Sequence, residues 1–143
     1  MSKQKTMKGF TLIEILVVVA LIAILTAITF IAINPAKNFA DTRNAQRSSD
    51  VVQILNAVTQ YTSEQGHSLA DFRTTPDAAV PGCNAPAVIG TDNVNLTTLL
   101  VPTYIVGIPL DPQPAGTVAD TGYTICQTGG RVQISAPHAL TDT

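Results

Sequence analysis

The sequence predicts an α+β protein in which one long apolar N-terminal helix precedes a small antiparallel β-sheet. Residues 10–33 form an apolar run with a single charged side chain. Residues 36–65 repeat apolar side chains at helical spacing, and residues 123–135 contain two alternating segments around a Gly-Gly pair. Helical periodicity followed by strand periodicity is the pattern of the α+β class.

The run from Phe10 to Ile33 holds 24 residues, and Glu14 is its only charge. At about 1.5 Å per residue it would form a helix of roughly 36 Å, enough to cross a hydrocarbon core of about 30 Å. The run is apolar on every face, which indicates a membrane span or a buried packing core rather than a surface helix.

A short basic segment with Lys3, Lys5 and Lys8 precedes this run and ends at Gly9. Ordinary secretory signals place the small residue of the cleavage site after a shorter apolar core, whereas here it lies before a long one. Cleavage after Gly9 would remove the lysines and leave the helix attached, with a free amine on Phe10.

Glu14 is a carboxylate close to the start of the apolar run. A charge in lipid is costly unless it is paired. We expect its partner to be the N-terminal amine of its own chain or that of a neighbouring subunit. The alternative is that Glu14 lies near the lipid headgroups and is solvated.

The segment Lys8-Gly9-Phe10-Thr11-Leu12-Ile13-Glu14, followed by the apolar run, resembles the N-terminus of type IV pilins and pseudopilins, which are made as prepilins with a class III leader peptide. The resemblance implies that a prepilin peptidase cleaves between Gly9 and Phe10 and N-methylates Phe10. It also implies that Glu14, the fifth mature residue, guides filament assembly. The fold it implies is the type IV pilin-like ladle, with the hydrophobic helix packed on a small antiparallel sheet.

This resemblance divides the chain into four parts. Residues 1–9 are the prepilin leader, and residues 10–34 are the transmembrane and filament-core helix. Residues 35–65 continue as an amphipathic helix, and residues 66–143 form the C-terminal globular pilin domain of a loop plus a small sheet. The resemblance also places the N-terminus inside the cell and the C-terminal domain outside.

Asn34-Pro35 interrupts the helical pattern, because proline removes a helix hydrogen bond and clashes with the preceding turn. We expect a kink near Asn34, or a new helix with Asn34 as its cap and Pro35 as its first residue. Gly66 is the expected helix stop. The apolar stripe of this helix comprises Val51, Ile54, Leu55, Val58, Tyr61 and Thr62.

The first part of this helix, residues 37–50, is polar and offers little to a core. Arg43 and Arg47 are four residues apart and therefore share a face. We expect a solvated helix face, and the alternative is a polar seam between subunits.

Cys83 and Cys126 both follow the apolar helix. On an exported, oxidising side of the membrane they can pair, and the alternative is two free buried thiols. We favour the disulfide, which would close a loop of about 44 residues and contribute on the order of 4 kcal/mol in the chain-entropy model.

Two C-terminal segments, Tyr123–Gln127 and Arg131–Ser135, alternate and are β-branched, with Gly129-Gly130 between them as a hairpin signal. Val132 and Ile134 share a face that should meet the helix stripe. Residues 67–101 are predicted to be an irregular loop containing a short helical turn at residues 96–100, which Asn95 would cap.

The sequence shows no catalytic constellation, and we expect neither an enzyme nor a cofactor or metal. His67 and His138 are far apart and are expected to be surface residues without a role. Asp111 and Asp120 lie in a segment that resembles a pseudopilin loop next to which some family members bind calcium. We favour ordinary turn chemistry for both carboxylates, and calcium binding is the alternative. Without the leader lysines, ten acidic side chains outnumber five basic ones, so no specific nucleic-acid binding is predicted.

The function that the resemblance implies is that of a structural subunit of a type IV pilus-like filament, for adhesion, motility or DNA uptake. Its partners would be the prepilin peptidase, identical and related subunits in a helical homopolymer, and the assembly machinery of the cytoplasmic membrane. The precursor would cross that membrane once before it joins a cell-surface filament. The alternatives are a pseudopilin of a type II secretion-like system and a signal-anchored surface binding module that does not polymerise.

Overall fold

The computed structural model describes residues 9–32, 35–112 and 116–140. The chain forms two compact units, one ending at Ala36 and the other beginning at Lys37, and each is described by itself. The helices are α1 (Leu12–Ala32), α2 (Pro35–Ser63) and α3 (Thr97–Leu100). The strands are β1 (Arg73–Thr74), β2 (Ala78–Ala79), β3 (Ala87–Val88), β4 (Thr124–Thr128) and β5 (Arg131–Ser135). Two 3-10 helices span Leu69–Asp71 and Pro137–Leu140.

Helix α1 confirms the predicted long apolar helix. None of its 21 residues is buried within the chain. The hydroxyl groups of Thr26 and Thr29 donate to the carbonyl oxygens of Ile22 and Leu25, at 2.7 and 2.6 Å. Because these polar groups are satisfied inside the helix, its outer surface is apolar. The leader lysines and Asn34, where a kink was expected, lie outside the described residues.

Helix α2 packs on the sheet through the predicted apolar stripe. Ile54, Val58 and Tyr61 are buried, and Val51 and Leu55 pack at the edge of the core. The helix ends at Ser63, and Gly66 adopts a φ of +91° in the turn that follows. The α+β class is therefore confirmed, and the helix that meets the sheet is α2.

The main sheet is antiparallel, with the order β3-β4-β5. The hairpin β4–β5 is where the sequence predicted it, with β4 shifted by one residue from the predicted span. Gly129 and Gly130 have φ values of +57° and +75° in its two-residue turn, a conformation that only glycine adopts easily at both positions. Strand β3 was not predicted, because two residues are too short to show alternation.

The segment between α2 and β4 supplies much of the core, although the sequence suggested only an irregular loop there. Its buried side chains include Phe72, Val80, Ala87, Ile89, Val94, Leu96 and Leu100. The short helical turn at residues 96–100 is confirmed as α3. The side-chain oxygen of Asn95 accepts a hydrogen bond from the backbone N–H of Thr97 at 3.1 Å, so Asn95 caps this turn.

The disulfide between Cys83 and Cys126 is present, with the two Cα atoms 4.9 Å apart. Cys126 lies on β4, and Cys83 lies in the segment that runs beside it. Next to the disulfide, the backbone N–H of Gln127 donates to the carbonyl oxygen of Pro81 at 2.9 Å. The side-chain amide of Gln127 donates to the carbonyl oxygen of Val80 at 2.8 Å. The disulfide therefore holds the long segment against the sheet.

Replacing both cysteines by alanine should lower the free energy of unfolding by about 4 kcal/mol, because the unfolded chain regains the freedom of the closed loop. Urea unfolding of the full chain in detergent, followed by tyrosine fluorescence, measures this change. The chain has three tyrosines and no tryptophan, and all three tyrosines lie in the second unit, so the signal reports on that unit. An unchanged urea midpoint would contradict the assigned role.

Candidate functional site

The Gly9–Phe10 junction lies in an exposed segment ahead of α1. The side chain of Phe10 is 84% exposed. A Cβ atom built on Gly9 would meet no atom within 4 Å, so the fold itself leaves space for a larger residue there. The fold therefore imposes no requirement for glycine at this position.

Glu14 is held by Thr11 in the first turn of α1. The backbone N–H and the hydroxyl of Thr11 each donate to Oε2 of Glu14 at 2.8 Å, and the N–H of Glu14 donates back to the Thr11 hydroxyl at 3.3 Å. This reciprocal arrangement is a capping box, for which the sequence signal is a threonine followed three residues later by glutamate. The sequence interpretation missed it, although Thr11 and Glu14 stand at that spacing.

The capping box leaves one side of the carboxylate open. Both bonds from Thr11 end on Oε2, and within the described part of the chain no hydrogen bond reaches Oε1. Glu14 is therefore fixed in place at the start of an apolar helix while one of its oxygens remains available to a further donor.

Helix α1 is, among the residues that the structure describes, the one helix long and apolar enough to cross a membrane. At about 1.5 Å per residue its 21 residues span about 32 Å, close to the thickness of a hydrocarbon core. Glu14 stands in the first turn of this candidate span.

A second polar site lies inside the second unit, which begins at Lys37 and is called the head from here on. At this site Arg47 of α2 meets Asp111. Their side chains are 1% and 0% exposed. The guanidinium donates from Nε and Nη2 to the two carboxylate oxygens at 3.0 and 2.8 Å, and from Nη1 to the side-chain oxygen of Asn44 at 2.9 Å. The expectation of a solvated face was therefore wrong for Arg47, because its partner lies 64 residues away and was not visible in the local pattern.

Tyr123 and Asp50 extend this buried network. The phenol of Tyr123 donates to Oδ2 of Asp50 at 2.6 Å, and the amide of Gln46 donates to Oδ1 at 2.7 Å. Burial raises the pKa of Tyr123 well above its usual range, and the hydrogen bond to the Asp50 carboxylate raises it further. The phenol is therefore held in its neutral form.

His67 is exposed and His138 is half-buried, and each has a contact within the head. Nδ1 of His138 lies 3.3 Å from Oδ2 of Asp111. The ring of His67 lies against that of Tyr61, with the centroids 4.2 Å apart. His138 lies in the 3-10 helix Pro137–Leu140, which places it beside this network.

The carboxylates considered for calcium are engaged with protein groups. Asp111 is bound by Arg47, and Oδ1 of Asp120 accepts a hydrogen bond from the N–H of Gly122 at 2.9 Å. No cluster of three or more His, Cys, Asp or Glu side chains suited to a metal occurs in residues 9–32, 35–112 and 116–140. Asp120 thus makes a turn contact, whereas Asp111 is held in the buried ion pair with Arg47.

Asp111→Asn should lower the free energy of unfolding by about 3–5 kcal/mol, because it leaves the Arg47 guanidinium buried without its counter-charge. Asp41→Asn is the matched control, since it removes a carboxylate from an exposed pair with Lys37 and should cost less than about 1 kcal/mol. Urea unfolding of the full chain in detergent compares the two variants. Equal stability of the variants would contradict the structural role of the buried pair.

Tyr123→Phe should make stability less dependent on alkaline pH. The raised pKa means that the folded state keeps a proton that the unfolded state releases near pH 10. The stability contributed by Tyr123 is therefore present below about pH 10 and is lost as the pH rises further. Urea midpoints measured between about pH 8 and pH 11 should fall less steeply in the variant, and an equally steep fall would contradict this account.

Comparison with known proteins adds a match at the N-terminus. Residues 4–30 match the family model described as the prokaryotic N-terminal methylation motif. The matched range includes Gly9, Phe10 and Glu14, together with most of α1. No curated protein and no solved structure matches the chain. The chain thus carries this methylation motif, which is the class III leader motif found in type IV pilins and pseudopilins.

Proposed function

We propose that this protein is a structural subunit of a type IV pilus-like filament, cleaved between Gly9 and Phe10, N-methylated on Phe10 and polymerised through α1. One observation carries this proposal. The methylation motif is joined to an apolar helix of 21 residues that buries none of its side chains within its own chain.

The precursor waits in the cytoplasmic membrane, with its leader inside and its head outside. A prepilin peptidase removes residues 1–9, including the three leader lysines, and methylates the new terminus at Phe10. The exposure of this junction supports the step, because a peptidase needs access to the peptide bond and the fold does not cover it.

Assembly machinery then moves the helix from lipid into the filament. Lipid and neighbouring helices both keep apolar side chains out of water, so the exchange needs specific contacts to favour the filament. A charge pair in the apolar core supplies one such contact. Oε2 of Glu14 keeps its hydrogen bonds from Thr11, and Oε1 accepts a hydrogen bond from the N-terminal amine of Phe10 in a neighbouring subunit.

We favour a surface pilus over a secretion pseudopilus because of the long segment before β4. This segment is sizeable and is tied to the sheet by the disulfide. The disulfide by itself suits either location, because the bacterial periplasm is oxidising too. Adhesion, motility and DNA uptake are all compatible with such a filament. A pseudopilin of a type II secretion-like system is the second candidate, because the same leader motif serves it.

Glu14→Gln should abolish or strongly impair filaments while insertion and cleavage continue. Glutamine at this position of a capping box preserves the bonds with Thr11, so this variant removes the charge and leaves the helix start intact. We expect filament protein in the sheared surface fraction to fall more than about tenfold, since a buried charge without its partner costs several kcal/mol. Immunoblots of the shear and membrane fractions measure both quantities.

Asp41→Asn is again the matched control, because its carboxylate is exposed and paired within α2. This variant should form filaments at the wild-type level. Wild-type filament yield from Glu14→Gln would contradict the assembly role of Glu14. Absence of the wild-type chain itself from the sheared fraction would favour a signal-anchored surface module that does not polymerise.

A further inference from the structure

Most charged side chains of the second unit have a partner within the chain. Among the described residues from Lys37 onward, ion pairs join Lys37 to Asp41, Arg47 to Asp111 and Arg73 to Asp77. Carboxylates outside these pairs accept hydrogen bonds; they are Asp50, Glu64, Asp71 and Asp120.

Arg43 is half-buried and also has an interaction within the chain. Two exposed residues of opposite charge remain, Arg131 and Asp92. Within this described part of the chain, neither side chain takes part in a hydrogen bond or an ion pair. Arg131 is thus a cation without an acidic partner in a domain that carries a net negative charge.

Arg131 and Asp92 stand at opposite ends of the sheet. Arg131 begins β5 and pairs with Thr128, at the hairpin end of β4. Thr124, at the other end of β4, pairs with Val88, and Asp92 follows Val88 by four residues along the chain. At about 3.4 Å per residue the four steps from Thr124 to Thr128 separate the two ends of β4 by about 14 Å. An arginine side chain does not span this distance, so the two groups cannot meet within one copy.

Arg131 also borders a groove of about 570 Å³ between the last turns of α2 and the start of β5. Val58 and Val132 contribute its apolar lining, and Thr59 and Thr62 contribute hydroxyl groups. These hydroxyls donate to carbonyl oxygens of their own helix, at 2.7 and 3.0 Å, which leaves their oxygens as acceptors. The groove therefore offers a cation together with hydrogen-bond acceptors.

The turn that carries Asp92 has the complementary chemistry. Residues 91–93 are Thr-Asp-Asn, and Thr91 and Asp92 are exposed. The turn is held by the backbone N–H of Thr91, which donates to the carbonyl oxygen of Val118 at 2.9 Å. It presents a carboxylate for a guanidinium and polar donors for the threonine oxygens.

We propose that the turn of residues 91–93 of one copy docks in the Arg131 groove of the next copy, where Asp92 pairs with Arg131. The two surfaces lie on different parts of the same chain, so the contact is heterologous and continues from copy to copy as an open filament. This inference rests on the proposed function and names the contact that joins the heads. Charge complementarity at such a contact fixes the register of the subunits.

The sharpest test is a cysteine pair, Asp92→Cys with Arg131→Cys, in the full chain. Sheared filaments run without reductant should show a ladder of covalent multimers. The matched control combines Asp92→Cys with Lys37→Cys, which replaces another exposed cation, one already paired with Asp41. The control should give monomers only.

Two results would overturn the contact while leaving the filament intact. In the first, filaments of the Asp92→Cys, Arg131→Cys variant run as monomers without reductant, and their introduced cysteines still react with a maleimide. In the second, the control pair gives as strong a ladder of multimers as the test pair. If the wild-type chain forms no filament at all, the proposed function fails and this contact fails with it.

Charge reversal provides a second measurement that needs no new cysteine. Asp92→Arg and Arg131→Asp should each reduce filament yield about fivefold, the scale of one exposed ion pair. Combining them should restore the yield, because the pair is re-formed with its charges exchanged. The urea midpoint of each variant should match the wild type, since neither residue has a partner in the monomer. A combined variant no better than the single ones would overturn the pairing.

Discussion

The apolar surface of α1 is the constraint on which the rest of this protein depends. The helix buries none of its side chains within the chain, so lipid or other helices must cover it. Its only charge, on Glu14, stands at the start of the helix, where Thr11 satisfies one carboxylate oxygen. A helix built this way is suited to exchange one apolar environment for another while it keeps a single point of electrostatic recognition.

The head is built on α2 by interactions of a different kind. Apolar packing around Ile54 and Val58 supplies the core, and the Arg47–Asp111 pair fixes which part of the long segment meets the helix. A buried ion pair contributes little net stability, but it is costly to break, which makes it suited to specifying one arrangement. Together with the Cys83–Cys126 disulfide, it fixes the segment whose surface carries the turn of residues 91–93.

The parts of the fold predictable from the sequence are those with a local signal. The apolar run, the stripe of α2 and the hairpin at Gly129-Gly130 each repeat within a few residues, and each is confirmed. The Arg47–Asp111 pair joins residues 64 positions apart, so no local pattern reports it. At the N-terminal site, the motif around Gly9 and Phe10 was recognisable from sequence and matches the methylation model. The Thr11 capping bond was also readable there and was missed.

In the proposed mechanism, α1 leaves the membrane as part of a processed subunit and enters a filament. The intact mass of the protein recovered from sheared cell-surface material tests this step. We expect the mass of residues 10–143 plus one methyl group and minus two hydrogens, which reports cleavage, methylation and the disulfide together. Full-length protein confined to the membrane fraction would contradict it.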